Sequence, residues 1–188
     1  MTGLVRFGNA LGALGLALIL LAGFGFQFGL NELPCPLCLL QRVAFVLCGF
    51  GFLLNLRYGS QPFHYGLILL SALYGLAASG RQVLLHIVPG SGGYGSPIFG
   101  LHFYTWAFLL FLAVILGAAF LLVLSGGGRI EHDRFESRAA RFGAFSKFAA
   151  YMLIFATLAN AVGTFVECGP IECPDNPTSY WLLQRFGL

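Results

Sequence analysis

Five stretches of this chain are apolar over lengths that match the thickness of a bilayer, and they constrain its fold more than any other feature. They cover about residues 9–30, 39–56, 64–88, 101–124 and 148–166. A helical span needs about 20 mostly apolar residues to cross the hydrocarbon layer. These runs are continuously apolar and lack the alternation over about ten residues that marks a barrel strand. The expected fold class is an all-α integral membrane protein, a four-helix transmembrane bundle plus a fifth transmembrane helix, forming a single membrane domain over 1–188. Only 9% of the residues are charged and 58% are hydrophobic, too little charge for a water-facing surface and too much apolar content for disorder. A net charge of +3 spread along such a chain makes no basic patch, which argues against a nucleic-acid partner. Arg6 precedes the first span in the manner of a signal peptide. That span is longer than a signal core, however, and no small-x-small cleavage pattern follows it before Asn31, so it is read as a retained helix.

The distribution of Lys and Arg gives the expected sidedness. The N-terminus, the loop 57–63 and the linker 125–147 carry Arg6, Arg57, Arg129, Arg134, Arg138, Arg141 and Lys147. The opposite side has Arg185 alone, with Arg42 and Arg81 just inside helix ends. The expectation is a cytoplasmic N-terminus, a cytoplasmic linker at 125–147 and an outer tail at 167–188. Glu131, Asp133 and Glu136 make that linker a solvated segment of mixed charge.

Sidedness gathers four of the five cysteines in one compartment, the one in which disulfides persist. Cys35 and Cys38 fall in the first outer loop, within PCPLCLLQR at 34–42, and Cys168 and Cys173 fall in the outer tail. Cys48 lies mid-span and reads as a small buried hydrophobe. Three accounts of the paired cysteines remain open: structural disulfides, a zinc site of four thiolates, and thiol–disulfide exchange. A two-residue gap closes a tight ring that stabilises little and suits redox cycling. An oxidising exterior disfavours the free thiolates that zinc requires. Arg42 stands at i+4 from Cys38, on the same helix face. A fixed positive charge there favours thiolate and suits an anionic electron acceptor, although a snorkelling arginine is the plain alternative. The sequence has no nucleotide fingerprint, haem-attachment motif or flavin loop, so a quinone is the economical electron acceptor.

The stretch CPLCLLQR at 35–42 resembles the C-x-x-C-x-x-x-R signature of the bacterial disulfide bond formation protein B (DsbB) family, where it opens the second transmembrane helix. GLHFYTW at 100–106, at the start of the fourth span, is similar to the same family more weakly, and the likeness extends over about residues 1–125. The resemblance implies a bacterial inner-membrane thiol:quinone oxidoreductase, using ubiquinone or menaquinone, that reoxidises a periplasmic DsbA-like thiol oxidase. It further implies that Cys35 and Cys38 are the quinone-coupled pair, that Arg42 is the quinone-side arginine, and that the outer side is the periplasm. The chain departs from the family at the second cysteine pair. In typical members that pair lies between spans three and four, whereas here the loop 89–100 (PGSGGYGSPIFG) has no cysteine. Cys168 and Cys173 follow the fifth span instead, and they are expected to serve as a relocated catalytic shuttle pair, with a stapled loop as the alternative.

His86 and His102 are candidate quinone-pocket residues at the outer ends of spans three and four, near Arg81. Tyr104 and Trp106 fit an interfacial aromatic belt, Gln41 is a candidate hydrogen-bond donor to a quinone carbonyl, and Asn55 and Asn160 read as helix–helix contacts. Two other readings stay open. One is a quinone or thiol reductase of the vitamin K epoxide reductase kind, which the C-x-x-C-x-x-x-R spacing disfavours. The other is a non-catalytic membrane protein whose disulfides are structural.

Overall fold

The computed structural model describes residues 3–88, 90, 92–126, 143–174 and 177–186. Arg129, Arg134, Arg138 and Arg141, with the acidic residues of the linker, lie outside the described residues. Six helices follow in chain order: α1 Gly3–Gly29, α2 Pro36–Tyr58, α3 Pro62–Leu85, α4 Phe103–Leu124, α5 Ala144–Cys168 and the short α6 Trp181–Phe186. The first five are long and apolar enough to cross a membrane. Their outer faces expose Leu70, Phe120, Phe155 and Val162, a surface suited to lipid rather than water.

Local chemistry sets the helix ends. Pro36 and Pro62 stand in the first turns of α2 and α3, where a missing N–H costs nothing. Cys35 is the N-cap of α2, and its sulfur accepts the Cys38 N–H at 3.3 Å. The α5 helix runs further than its apolar stretch suggests. It ends at Gly169, whose φ of 63° suits a residue without a Cβ, so Glu167 and Cys168 form the last helical turn. Both residues therefore gain a fixed direction that a loose tail would not give them.

The α1 helix packs against α2 on one side and α5 on another, α2 packs against α3, and α3 against α4. The α4 helix returns to α1 only lightly, leaving a seam that opens into the cavity described below. Small residues let the helices approach, as is usual where lipid offers no hydrophobic drive for association. Ala10, Ala13 and Ala17 of α1 are fully buried, and Phe45 stacks on Phe111 with centroids 4.0 Å apart. A Cβ at Gly75 would overlap the Phe111 ring, which is itself buried and held against Phe45. Gly75→Ala is therefore expected to destabilise the bundle by about 1–3 kcal/mol through overpacking, read as a lower unfolding midpoint in detergent.

Two polar clusters pin the helices. At one end, Asn55 donates to Asn9 Oδ1 at 2.8 Å, Asn9 donates to the Tyr65 hydroxyl at 2.9 Å, and His64 Nδ1 lies 3.1 Å from Asn55 Oδ1. Midway along α5, Asn160 donates to the Leu20 carbonyl of α1 at 3.0 Å. The candidate site occupies the other end, where the C-termini of α1, α3 and α5 meet the N-termini of α2 and α4.

Candidate redox site

Capping by Cys35 fixes the first turn of α2, and that turn carries Cys38 and then Arg42 on one face. Behind the two thiols lies Gln82 of α3, almost fully buried. Its Nε2 donates to Cys35 Sγ at 3.3 Å and to Cys38 Sγ at 3.5 Å, while its Oε1 accepts from Gln41 Nε2 at 2.7 Å. One amide thus spans both sulfurs. Cys35, outside the membrane-spanning helix, has its thiol pushed above the ordinary range, first by its bond with Cys38 and then by burial. Cys38 stands one helical turn from the Arg42 charge, which favours Cys38 as the leaving thiolate when a disulfide between the two is attacked at Cys35.

Cys38 and Arg42 both line a cavity of about 370 Å³ between α1, α2 and α4. Its walls are mostly apolar, including Leu20, Phe26, Phe45 and Leu110, with Gln41 and Glu32 among the few polar groups. Cys35 is not part of the lining. The segment 92–101 covers one side. Tyr94 donates its hydroxyl to the Leu33 carbonyl at 2.6 Å, the Ser96 N–H donates to Glu32 Oε1 at 3.0 Å, and Trp106 Nε1 donates to the Ile98 carbonyl at 3.0 Å. Burial raises the Tyr94 hydroxyl above its usual range, so it keeps the proton it donates.

Arg42 is half-buried and held from α1. Its Nη1 donates to Gln27 Oε1 at 2.7 Å and its Nη2 to the Gly23 carbonyl at 3.0 Å. Gln27 Nε2 in turn donates to Glu167 Oε2 of α5 at 3.0 Å, and Tyr180 donates to the Gln27 carbonyl at 3.1 Å. Tyr180, raised chiefly by burial, stays a protonated donor. Cys168, next to Glu167, is disulfide-bonded to Cys173 with the Cα atoms 4.9 Å apart. Cys35, Cys38 and Cys48 are free thiols.

The cavity gathers Cys38, Arg42 and Gln41 together with Tyr104 and Trp106, the two aromatics also given the blander belt reading. His86 and His102 do not line it. They stack on Tyr104, with centroids 5.1 Å and 5.3 Å away, and bond to the backbone carbonyls of Gln82 and Gly95. Arg81 is exposed and also stands apart from the lining. Cys48 is buried in the core, with its sulfur 3.6 Å from the Ile68 carbonyl. Among the described residues, no three His, Cys, Asp or Glu side chains are grouped as metal ligands would be. Sequence reasoning missed Gln82, Gln27 and Glu167. The available signal was a polar side chain near a helix end on a span otherwise apolar, which is a functional cue at membrane depth.

Residues 5–95, which hold the first cysteine pair, Arg42, Gln82 and Tyr94, match the family model for disulfide bond formation protein DsbB. Through this segment the chain is similar to the DsbB family, and its five long apolar helices mark it as a multi-pass membrane protein. The match stops short of α4, so GLHFYTW at 100–106, which resembles the family in sequence, lies beyond it, as do α5 and the tail. Among curated relatives, the disulfide bond formation protein B of Xylella fastidiosa (strain Temecula1) is 34% identical over 93 residues, covering 46% of this chain and 54% of the relative. That of Nitrosomonas eutropha is 41% identical over 71 residues, covering 35% and 44%. That of Pseudomonas syringae pv. tomato is 46% identical over 66 residues, covering 32% and 38%. The chain spans about half the length of the curated relatives it matches, or less. No solved structure matches it.

Proposed function

We propose that this chain is a thiol:quinone oxidoreductase that reoxidises a periplasmic DsbA-like dithiol protein and so supports disulfide bond formation. The observation that carries the reading is the pairing of Cys38 and Arg42 on the wall of one apolar cavity. A cavity of about 370 Å³ lies within the range of small-molecule sites, and its mix of apolar wall and few polar groups suits a quinone ring with two carbonyls. Arg42 and Gln41 would hold the ring as hydrogen-bond donors, with Phe45, Tyr104 and Trp106 among the walls. A bound quinone supplies a two-electron, two-proton acceptor.

The chain's own residues do the thiol chemistry. A thiolate of the reduced partner attacks the Cys168–Cys173 disulfide, forming a mixed disulfide that the partner's second thiol resolves. The tail dithiol then attacks the disulfide form of Cys35 and Cys38 at Cys35. Cys38 leaves as thiolate within reach of the Arg42 charge, and the tail disulfide re-forms. Reduction of the quinone would return Cys35 and Cys38 to the disulfide, and the two electrons and two protons it takes up match those given by the partner's dithiol. The scheme puts both cysteine pairs in the periplasm, with the N-terminus cytoplasmic and the C-terminus outside. That sidedness agrees with the lysine and arginine bias.

The test is direct. Purified protein receives a reduced thioredoxin-like dithiol protein and a short-chain ubiquinone or menaquinone, and quinone absorbance is followed. Catalytic loss of quinone is expected, and its absence with both quinones would refute the reading.

A further inference from the structure

Among the described residues, Glu167 is the only carboxylate buried in the protein, with 2% of its surface exposed. Burying a carboxylate is expensive, and a direct ion pair with the nearby Arg42 would be the obvious compensation. No such pair forms. The Gln27 side chain stands between them, its oxygen turned to Arg42 and its NH2 turned to Glu167. An amide has an accepting end and a donating end, and a free one can flip between them. Arg42 only donates and a carboxylate oxygen accepts, so the two partners together select one orientation of Gln27. That orientation presents an acceptor to Arg42 Nη1. The flipped amide would push donors against a cation that has no acceptor. Glu167 Oε1 itself has no partner, so the hydrogen bonding of this buried side chain is directed at Gln27.

We propose that Gln27 and Glu167 are positioning residues for the quinone site, Glu167 locking the Gln27 amide and Gln27 holding the Arg42 guanidinium at the cavity wall. This rests on the reading of that cavity as a quinone site. A guanidinium has five N–H donors. Tying one Nη to Gln27 and the other to the Gly23 carbonyl fixes the plane of the group and leaves other donors for a ligand in the cavity it lines. A direct carboxylate partner would have taken two of those donors and neutralised the charge at close range. The amide spacer keeps the cation oriented without covering it. Helix α5, which carries Cys168, thereby sets an arginine on α2 through α1.

The experiment uses the purified full chain in detergent, dithiothreitol as electron donor and a short-chain ubiquinone as acceptor. Gln27→Leu and Glu167→Leu are each expected to raise KM for ubiquinone about tenfold, a loss of about 1.4 kcal/mol, with kcat changed less. Glu167→Gln keeps an acceptor for the Gln27 amide and is expected to stay within about threefold of wild type. Gln27→Asn, one methylene too short to reach both partners, gives a polar variant that raises KM as the leucine does, should the leucine variants fold poorly. Because the two residues act in series, the double leucine variant is expected to be no worse than either single one. A wild-type KM in Gln27→Asn or Gln27→Leu overturns the proposal, as does Glu167→Gln behaving like Glu167→Leu, or a double variant whose effects multiply. Wild type without turnover would instead overturn the quinone reading underneath.

Discussion

Cys38→Ser is expected to lower quinone reduction by about 10³-fold or more, the scale on which the loss of a covalent nucleophile is felt. The substitution changes one atom. A serine hydroxyl can still meet the Gln82 amide that now touches the sulfur, so the turn and the cavity are preserved. What disappears is the ability to form a disulfide with Cys35 and to carry a thiolate beside Arg42. The decisive contrast is with Cys48→Ala. That thiol lies in the core, away from the cavity lining, and its loss is expected to cost some stability and little turnover. Turnover in Cys38→Ser above about a tenth of wild type, with folding verified by helicity and thermal midpoint, would remove the cavity cysteine from the reaction.

The difference between Cys38 and its neighbours shows what the sequence could and could not reveal. Hydrophobic runs marked five helices because lipid demands length and composition, both local properties. Spacing placed Arg42 above Cys38 because i+4 geometry is internal to one helix. The extra turn of α5 was harder to see, since Glu167 ends an apolar run and suggests an exit into water. Its helical state depends on the cap at Gly169 and its burial on Gln27, which lies on another helix. Gln82 was invisible for a similar reason: its two sulfur partners are 47 and 44 residues away. His86 and His102 show the converse. Both sit at the expected ends of their spans, yet ring orientation is a tertiary matter, and both turn onto Tyr104, leaving that ring rather than themselves on the cavity wall.

Cys173→Ser separates a shuttle from a staple. With a reduced thioredoxin-like protein as donor, its turnover is expected to fall about 100-fold, because the partner loses the disulfide it attacks. With dithiothreitol, a small dithiol that needs no protein docking surface, the fall is expected to be less than about threefold. Cys168 is nearly fully buried and Cys173 only partly, so Cys173 is the sulfur an incoming protein thiolate meets first. Losing the bond is tolerable for the fold. The loop it closes spans a sequence separation of 5, for which chain entropy gives about 2 kcal/mol, while α5 stays held along its length by α1. A staple predicts a different pattern. If the disulfide only braced the end of α5, its loss would loosen Glu167 and disturb Arg42, and both donors would suffer alike through a raised KM for quinone. Equal losses with the two donors would therefore assign the tail pair to structure. A loss confined to the protein donor would make the fifth helix the device that returns a second redox pair to the side of the first.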